Sequence, residues 1–215
     1  LALEMGCDYV WLLNDDITVA SDTLSALMDV AWRNPKAGFL GPMVYMREEP
    51  QRILSAGGWL DKRWQARQRG LGELDQHQFD GVVEADVVSG CALLVSRQVI
   101  DAVGLLDEDF FAYHEEVEWC YRGRQAGFQV LFVPAAKVWH PDTRQRDTDS
   151  PLVTYYISRN QLLFAAKHHL CRIGVWSFRS QWRHKRRQRD ALLWAMRDFM
   201  LKRLGKAEVS FDSQP

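Results

Sequence analysis

The 215-residue sequence lacks the features that mark secreted, zinc-binding and membrane-spanning chains. Its four cysteines are widely spread and show no C-x-x-C spacing, so neither a disulfide framework nor a zinc site is indicated. It contains no run of about 18 uncharged apolar residues, and residues 1–20 carry acids in place of a basic signal segment. Internal repeats and low-complexity segments are also missing. We therefore expect a globular protein of a reducing, cytoplasmic compartment.

The charges of the sequence are unevenly distributed, although the formal net charge is only −1. The segment from Arg172 to Lys206 contains eleven Lys and Arg residues and two acids, which gives it a net charge of +9. The rest of the chain carries 16 basic and 26 acidic residues, a net charge of −10. This distribution indicates a basic appendage on an acidic body.

Apolar runs that end in polar residues alternate with helical patterns through the acidic body. Residues 7–13 predict a buried parallel strand, and apolar residues then recur at helical spacing from residue 22 to Asn34. Strands followed by helices are typical of an α/β domain. Further strands are predicted at 37–45 and 84–96, with two short strands ending at Pro134 and His140, and further helices at 97–103, 115–126, 150–170 and 176–204. Residues 46–81 are predicted to be a long surface excursion with at most one hairpin.

Two adjacent acids, Asp15 and Asp16, follow the first predicted strand. Carboxylates are ligands that Mg²⁺ and Mn²⁺ prefer, and open α/β sheets bind ligands beyond the carboxyl ends of their strands. His140 ends the last predicted strand and can add a nitrogen ligand if the two strands are neighbours. The alternative is a solvated turn whose acids cap the following helix, with an ordinary histidine at the sheet edge.

Three glutamates, Glu115, Glu116 and Glu118, fall in the first turn of a predicted helix. The helix dipole favours negative charge there, which is a sufficient structural explanation. The preceding aromatic segment DEDFFAYH, residues 107–114, can however hold an acceptor molecule against the helix. A carboxylate at this position can act as a general base toward a hydroxyl. From the residues alone both interpretations stay open.

Arg159 and Asn160 lie within the otherwise apolar helical stretch YYISRNQLLF. An arginine on such a helix needs an anionic partner, either a carboxylate of the core or a diphosphate. The sequence favours the structural pairing.

The basic appendage has the pattern of an amphipathic helix that carries Trp176, Trp182 and Trp194. Such a helix suits an anionic membrane surface, and we predict peripheral association through residues 176–204. Docking on the acidic body of the same chain is a close alternative. No nucleic-acid partner is expected, because no recognised nucleic-acid motif accompanies the basic residues.

Several short motifs occur in one fixed order, and together they resemble a known family. They are LLNDDITV, ILSAGG, the block from VVSGCALLVS to AKVWH, and YYISRN. In this order they resemble the family-2 glycosyltransferases with a GT-A fold, and within them the rhamnosyltransferase-like bacterial branch. The resemblance covers roughly residues 1–170.

The resemblance implies a metal site that holds Mg²⁺ or Mn²⁺ for a nucleotide-diphosphate sugar. Asp16 matches the metal-binding acid of the family's D-x-D-type stretch, with Asp15 in the middle position and Asn14 in the first, on the donor side. His140 matches the histidine that completes the metal coordination. Arg159 falls where relatives place a basic residue that faces the diphosphate.

The resemblance also implies an acceptor site with a catalytic base. Glu116 matches the base, which is more often aspartate in this family, and Glu115 is its partner. Gly90 matches the segment that lines the acceptor side, where Tyr113 and His114 of the aromatic segment are also expected.

The implied activity is inverting transfer of a hexosyl or deoxyhexosyl unit to a hydroxyl of a saccharide or lipid-linked acceptor. Such an enzyme would act in cell-surface polysaccharide or glycolipid synthesis, peripherally on the cytoplasmic membrane face. A non-catalytic sugar- or partner-binding remnant of the same fold is the alternative. A third interpretation, a metal-dependent phosphatase or nuclease, is disfavoured because it gives no role to the motif around Glu116.

The resemblance further predicts the domain organisation. We expect a GT-A-type, Rossmann-like mixed sheet flanked by helices that lacks most of the N-terminal nucleotide-binding half. Residues 1–170 would be the metal and acceptor part of that domain, and residues 171–215 a basic amphipathic helical extension and tail. The expected absence of the nucleotide-binding half is also the basis for the alternative of a non-catalytic remnant.

Overall fold

A mixed β-sheet and a group of helices make up the two compact units of the chain. The computed structural model describes residues 4–142 and 150–207, apart from the side chains of residues 172 and 173. The sheet unit, as we call it, comprises residues 4–60, 66–105 and 119–142. The helical unit comprises residues 61–65, 106–118 and 150–207.

Strands, with three helices among them, make up the described part of the sheet unit, and six of the strands follow one another without an intervening helix. The strands are β1 (Tyr9–Leu13), β2 (Thr18–Val19), β3 (Ala37–Met46), β4 (Ile53–Ser55), β5 (Gly58–Leu60), β6 (Ala66–Gln68), β7 (Val83–Glu84), β8 (Ala92–Ser96) and β9 (Gln129–His140). The helices are α1 (Thr23–Arg33), α2 (Arg97–Val103) and α3 (Glu115–Gln125), whose first turn belongs to the helical unit. Strands β5 and β6 pair as a hairpin within the predicted excursion 46–81. Strand β4 of the same stretch is largely buried and pairs antiparallel with β3, so the prediction of a surface excursion with at most one hairpin was wrong there.

The main sheet has the strand order β1-β8-β3-β9-β2, with β4 added to β3 and β7 to β9. Strand β8 is antiparallel to both β1 and β3, and β3 is parallel to β9. Strands β1, β3 and β9 therefore run in one direction, and their carboxyl ends, Leu13, Met46 and His140, share one edge. The prediction that β1 is a buried parallel strand was wrong: β1 pairs antiparallel with β8 and is only partly buried. Short apolar runs are compatible with either pairing.

Two prolines, Pro42 of β3 and Pro134 of β9, lie at an irregularity in the pairing of these strands. The register between β3 and β9 shifts after Pro42, whose partner is Val133, and resumes where Met43 pairs with Lys137. Because β9 bulges through this gap, it continues as one strand to His140 in place of the two short strands that were predicted. Pro42 marks the irregular position that was expected, but β3 is a central strand of the sheet and not an edge strand.

The core of the sheet unit lies on both faces of β3. One cluster joins helix α1 to strands β3, β8 and β9 and contains Leu27, Ala31, Ala37, Leu40, Leu94, Leu131, Val133 and Ala136. Elsewhere in the core, Phe39 packs edge-on against Trp119 of α3 with 5.3 Å between ring centroids. A Cβ on Gly123 would lie 2.3 Å from Cε2 of Phe39, so this close approach of α3 to β3 requires glycine.

Three helices make up most of the helical unit. They are α4 (Pro151–Lys167), α5 (Cys171–His184) and α6 (Arg189–Met200), and the 3₁₀ turn Arg186–Gln188 joins the last two. Helix α4 begins at a Ser150 cap, where Oγ accepts a hydrogen bond of 3.3 Å from the Val153 amide. Helix α5 crosses α4 at Gly174, where a Cβ would lie 2.6 Å from that of Ala165. The single basic helix predicted for 176–204 is thus two helices.

Helices α5 and α6 belong to the same compact unit as α4, so this unit continues past the predicted domain boundary at residue 170. Ala191 and Ala195 of α6 pack against Tyr155 and Tyr156 of α4, and the Tyr155 hydroxyl donates a 2.9 Å hydrogen bond to Asp198. No helix among the described residues is both long and apolar enough to span a membrane.

Candidate functional site

The edge where β1, β3 and β9 end carries the first group of predicted site residues. Strand β2 pairs with β9, with Thr18 opposite Trp139, which holds the turn after β1 against the end of β9. His140 Nε2 lies 3.3 Å from Oδ1 of Asp16 and 3.1 Å from Nδ2 of Asn14. The structure therefore brings together Asn14, Asp16 and His140, which are 126 residues apart in sequence at their extremes. We call these three residues the sheet-edge group.

The ring of His140 is oriented by its own backbone. Its Nδ1 lies 2.8 Å from the carbonyl oxygen of Pro141, which can only accept, so Nδ1 carries a proton. In the neutral ring Nε2 then presents a lone pair toward the Asp16 carboxylate. This lone pair can accept a hydrogen bond from Nδ2 of Asn14, 3.1 Å away, or coordinate a metal ion together with the Asp16 carboxylate.

Arg47, which follows β3, adds a cation that sequence reasoning missed. Its Nη1 donates a 2.9 Å hydrogen bond to the carbonyl oxygen of Asp16. The available signal was its position, because it follows the carboxyl end of a predicted strand. This arginine fixes the turn that carries the Asp16 side chain, which is 46% exposed.

The donor set of the sheet-edge group fits a divalent cation only in part. Among the described residues no cluster of three or more His, Cys, Asp or Glu side chains has the geometry to hold a metal. One carboxylate, one imidazole nitrogen and one amide are present, and divalent cations complete such sets with water and phosphate oxygens. Asp15 is exposed and makes no hydrogen bond or ion pair within the part of the chain that the structure describes.

Gly90 lies in the turn that precedes β8, near the sheet-edge group. The carbonyl of the next residue, Cys91, accepts a 2.9 Å hydrogen bond from the Asn14 amide. The turn thus supports the start of the Asp-containing segment. Its predicted place on the acceptor side stays a prediction.

The second group of predicted residues lies in the helical unit, in the loop that leads into α3. We call residues 106–114 the acceptor loop after the predicted role of its aromatic residues, which stays a prediction. Three residues with side chains adopt the left-handed backbone region: Phe111 (φ 61°), Tyr113 (φ 64°) and His114 (φ 78°). Each such conformation costs about 1–3 kcal/mol, and such strain persists only where surrounding contacts enforce it.

Asn160 and Arg159 supply the contacts that enforce this conformation. The Asn160 amide nitrogen donates to the carbonyl oxygens of Phe110 (2.9 Å), Ala112 (2.8 Å) and Tyr113 (2.6 Å). Arg159 Nη2 donates to the carbonyl oxygens of Asp109 (3.1 Å) and Phe110 (3.0 Å). Both side chains are fully buried. Helix α4 thus holds the backbone of the acceptor loop.

The remaining contacts of Arg159 indicate a structural role. The buried guanidinium also donates to the Gly205 carbonyl (2.7 Å) and stacks near the rings of Tyr155 and Tyr156. This arrangement is structural, although carbonyl oxygens replace the carboxylate partner that the sequence suggested. Diphosphate binding by Arg159 stays an untested prediction, and this geometry lends it no support. The sequence did not predict the role of Asn160. The only indication was that Asn160 is a second polar residue, next to Arg159, on an otherwise apolar helix.

The acceptor loop delivers Glu115 and Glu116 to the first turn of α3. Burial, reinforced by the negative charge of Glu115, raises the pKa of Glu116 to about 8. Burial likewise raises the pKa of Glu115, whose Oε2 has no hydrogen-bond partner among the described residues. The third glutamate, Glu118, is buried and lies 3.2 Å from Nε2 of His168, so its role is structural. The two adjacent glutamates therefore both have raised pKa values, and we call them the carboxylate pair.

The two aromatic residues predicted beside the acceptor differ in their surroundings. His114 is buried, its Nε2 has no partner among the described residues, and burial lowers its pKa to about 4. It is therefore a neutral ring at pH 7, with its edge toward Phe164. Tyr113 is partly buried and packs on the tyrosines of α4.

The architecture and the comparisons with known proteins agree on the class of protein. The fold is that of the GT-A glycosyltransferases: it is similar to the crystal structure of GalNAc-T7 with UDP, GalNAc and Mn²⁺, with a TM-score of 0.52 and 17% identity over 72% of this chain and 31% of that one. This confirms the predicted fold class. The model of the glycosyltransferase like family 2 matches residues 4–160, and the chain belongs to that family.

Two curated relatives narrow the resemblance to rhamnosyltransferases. The chain is 29% identical over 192 residues to an N-acetylglucosaminyl-diphospho-decaprenol L-rhamnosyltransferase of Mycobacterium tuberculosis, covering 81% of this chain and 59% of the relative. It is 25% identical over 182 residues to the dTDP-rhamnosyl transferase RfbF of Shigella flexneri, covering 79% and 57%. The chain thus spans somewhat more than half the length of these relatives.

Proposed function

We propose that this chain carries the metal-binding and acceptor-binding parts of an inverting glycosyltransferase, which transfers a deoxyhexosyl unit from a nucleotide-diphosphate sugar to an acceptor hydroxyl. The observation that carries this proposal is the acceptor loop, which is held in a strained conformation and delivers a carboxylate pair with raised pKa values. Strain and shifted pKa values concentrate at functional sites. Family membership and the names of the two relatives support the choice of sugar transfer.

Glu116 is the proposed catalytic base. Its carboxylate takes the proton of the acceptor hydroxyl while that oxygen forms a bond to the anomeric carbon of the donor sugar. The bond from the anomeric carbon to the diphosphate breaks with its electron pair on the phosphate oxygen, which inverts the configuration. A pKa near 8 makes Glu116 a stronger base than an ordinary glutamate. Glu115, its proposed partner, contributes to this raised pKa through its negative charge.

The sheet-edge group is the proposed donor-side site. Asp16 and His140 would hold a divalent cation, Mg²⁺ or Mn²⁺, with Asn14 beside them on the donor side. When bound, such a cation offsets the negative charge that accumulates on the leaving diphosphate. Arg47 holds the turn of Asp16 in place and adds positive charge at the same edge. The role of Asp15 stays a prediction.

The proposed location of the reaction, a membrane surface, is based on the exposed side chains of the helical unit. Trp176, Leu193 and Trp194 are exposed on the basic helices α5 and α6. We propose that these helices rest on an anionic membrane surface, where basic residues add roughly 1 kcal/mol each. The enzyme would act there peripherally, on a saccharide or lipid-linked acceptor.

The test of the proposed function is release of nucleoside diphosphate from dTDP-rhamnose in the presence of Mn²⁺ and an N-acetylglucosaminyl-diphospho-lipid. We expect Glu116→Gln to lower kcat at least about 100-fold with little change in KM, since the amide cannot take a proton. Asp190→Asn, a carboxylate-to-amide change at an exposed position of α6, is the matched control and should leave kcat unchanged. Full activity of Glu116→Gln would contradict the proposal and favour the non-catalytic alternative.

A further inference from the structure

A cavity of about 320 Å³ lies in the sheet unit, beside the carboxyl ends of β3 and β9. Tyr45 of β3 and Lys137 and Trp139 of β9 contribute to its wall. In the register of these strands Tyr45 pairs with Trp139, and Met46 pairs with His140. Because successive side chains of a strand point to opposite faces, the cavity lies on the face away from the His140 side chain. We call it the Trp139 cavity.

One wall of the Trp139 cavity consists of two aromatic rings. The rings of Tyr45 and Trp139 are stacked, with 5.7 Å between centroids and 23° between planes. Trp139 Nε1 donates a 3.2 Å hydrogen bond to the Pro50 carbonyl, and the Tyr45 hydroxyl donates a 2.5 Å hydrogen bond to Oδ2 of Asp75. Tyr45 is buried, whereas Trp139 is partly exposed. A hydrogen bond thus fixes each ring, and a ligand meets a wall that is already formed.

The opposite part of the lining offers acceptors for hydrogen bonds. Oδ1 of Asp75 accepts a 3.0 Å hydrogen bond from the His77 amide. The hydrogen bond from Tyr45 lowers the pKa of Asp75, so the side chain is a carboxylate at neutral pH. Each carboxylate oxygen can accept two hydrogen bonds, and one place on each oxygen is taken by these partners. Asp75 therefore keeps the capacity to accept from a ligand.

The lining also offers donors. The ammonium of Lys137 makes no hydrogen bond or ion pair with another described residue, although Asp75 attracts it at longer range. The side-chain amide of Gln51 is exposed and likewise makes no hydrogen bond within the part of the chain that the structure describes. Donors and acceptors with unused capacity therefore line the same cavity.

This lining suits a neutral polyhydroxylated ring better than an ion. The charges of Asp75 and Lys137 offset each other, so a phosphate attracted by the lysine is repelled by the carboxylate. A hydroxyl both donates and accepts, which matches a lining that offers both. The carbon-bound hydrogens on one face of a sugar ring can pack on an indole ring. The volume lies near the lower end of the range of about 300–1,000 Å³ for ligand sites, which suits one or two sugar rings.

We propose that the Trp139 cavity binds a neutral sugar, with the ring face on Trp139 and the hydroxyls on Asp75, Lys137 and Gln51. The inference goes beyond the proposed function, which uses the sheet-edge group and the acceptor loop and gives this cavity no role. A free sugar and one unit of a longer glycan share the chemistry that the cavity recognises.

The inference is tested by nuclear magnetic resonance titration of the full chain, with the indole N–H signal of Trp139 as the reporter. The probes are the neutral methyl glycosides of rhamnose, glucose, galactose and N-acetylglucosamine. We expect at least one of them to shift the Trp139 signal with a Kd of about 1–10 mM. The disaccharide of that sugar is the second arm: an affinity about tenfold higher identifies a glycan chain as the ligand, and an equal affinity identifies a single sugar. Either result supports the inference.

Lys137→Ala should weaken the binding of that glycoside about fivefold or more, because it removes a charged donor. Lys36→Ala is the matched control, since Lys36 is an exposed lysine just before β3 that does not line the cavity. It should leave the affinity unchanged. The glucuronide, which adds a carboxylate to the glucose ring, should bind no more tightly than the glucoside.

The inference is overturned if none of the neutral glycosides shifts the Trp139 signal at concentrations up to about 50 mM. An affinity that Lys137→Ala leaves unchanged, or tighter binding of the glucuronide, would also overturn it. Displacement of the glycoside by dTDP with Mn²⁺ would assign the sugar to the sheet-edge group instead. Loss of binding in Asn160→Ala but not in Lys137→Ala would assign it to the acceptor loop, and would likewise contradict the inference.

Discussion

At the scale of single residues, the proposed role of Glu116 as a base carries a cost in stability. Its side chain enters the first turn of α3, where the helix dipole favours a carboxylate, yet burial and the neighbouring Glu115 raise its pKa to about 8. The same shift that strengthens the base makes its charged form unfavourable in the folded chain. If Glu116 is the base, as proposed, activity and stability are coupled at this residue.

We expect Glu116→Gln to stabilise the chain at alkaline pH. A group whose pKa is raised on folding contributes stability that is complete below its unfolded pKa, about 4.5, and is lost as pH rises through the folded pKa near 8. Glutamine does not titrate, so the variant should gain about 1–3 kcal/mol over the natural chain between pH 5 and 8.5, after allowance for solvent screening.

Thermal unfolding at pH 5 and at pH 8.5 checks this prediction. The difference in Tm between variant and natural chain should be small at pH 5 and should grow at pH 8.5, with Asp190→Asn again as the control. A difference that is independent of pH would show that Glu116 is not the titrating group.

The residue scale also shows what the sequence alone could provide. Asp16 and His140 were predictable because each follows or ends an apolar run, and such runs end at a sheet edge. Arg47 follows the same rule and could have been found. Asn160 could not, because its partners are backbone carbonyls of a loop whose conformation has no local sequence signal.

At the scale of elements, the acceptor loop owes its shape to helix α4. Its backbone lacks regular pairing, and the carbonyl groups of Phe110, Ala112 and Tyr113 converge on the Asn160 side chain instead. The boundaries of α2, α3 and α4 were predictable from their caps and periodicity. Strand pairing was not, because β1 and β8 are distant in sequence and a short apolar run does not encode its direction.

We expect Asn160→Ala to change the proton affinity of the carboxylate pair. Once the amide is removed, the loop relaxes and water reaches Glu116, so its pKa falls toward the ordinary value. The rising limb of the pH dependence of kcat should shift to lower pH, while kcat at its maximum falls about 10- to 100-fold through loss of positioning. Steady-state rates from pH 5 to 9 check this.

Gln161→Ala is the control for this experiment. Gln161 is the next residue of α4, is also buried, and accepts hydrogen bonds from Ser177 and Gln181 of α5. It should lower stability about as much, by about 1–3 kcal/mol, without shifting the pH profile. An unshifted profile in Asn160→Ala would limit Asn160 to a structural role.

At the scale of the whole molecule, the predicted extension 171–215 differs from the units that the contacts define. Helix α4 buries Tyr155 and Tyr156 under α6, and α5 packs on its other side at Gly174. The periodicity of a basic helix could not distinguish this docking from a free amphipathic helix. A docked helix and a free amphipathic helix have the same periodicity of apolar and basic residues, and they differ only in the surface that the apolar face contacts.

We expect removal of residues 171–215 to unfold α4 as well as the extension. Exposure of the tyrosines and leucines of α4 would cost about 1.5–3 kcal/mol for each buried side chain, which exceeds what a lone helix can offset. Hydrogen exchange over Pro151–Lys167 should lose its protection in this variant. A chain that ends at residue 207 is the control, and retained protection after the cut at 170 would identify the extension as an independent appendage.

The hydrogen bonds between the acceptor loop and α4 also set an order of events during synthesis. Arg159 lies 50 residues after Asp109, and Asn160 lies 48 residues after Ala112. A ribosome needs roughly 3–10 s to add 50 residues. During that interval the loop has emerged without its donors, and its two glutamates remain hydrated and ordinary in acidity. The loop therefore reaches its final conformation only after helix α4, which was synthesised later, has packed against it.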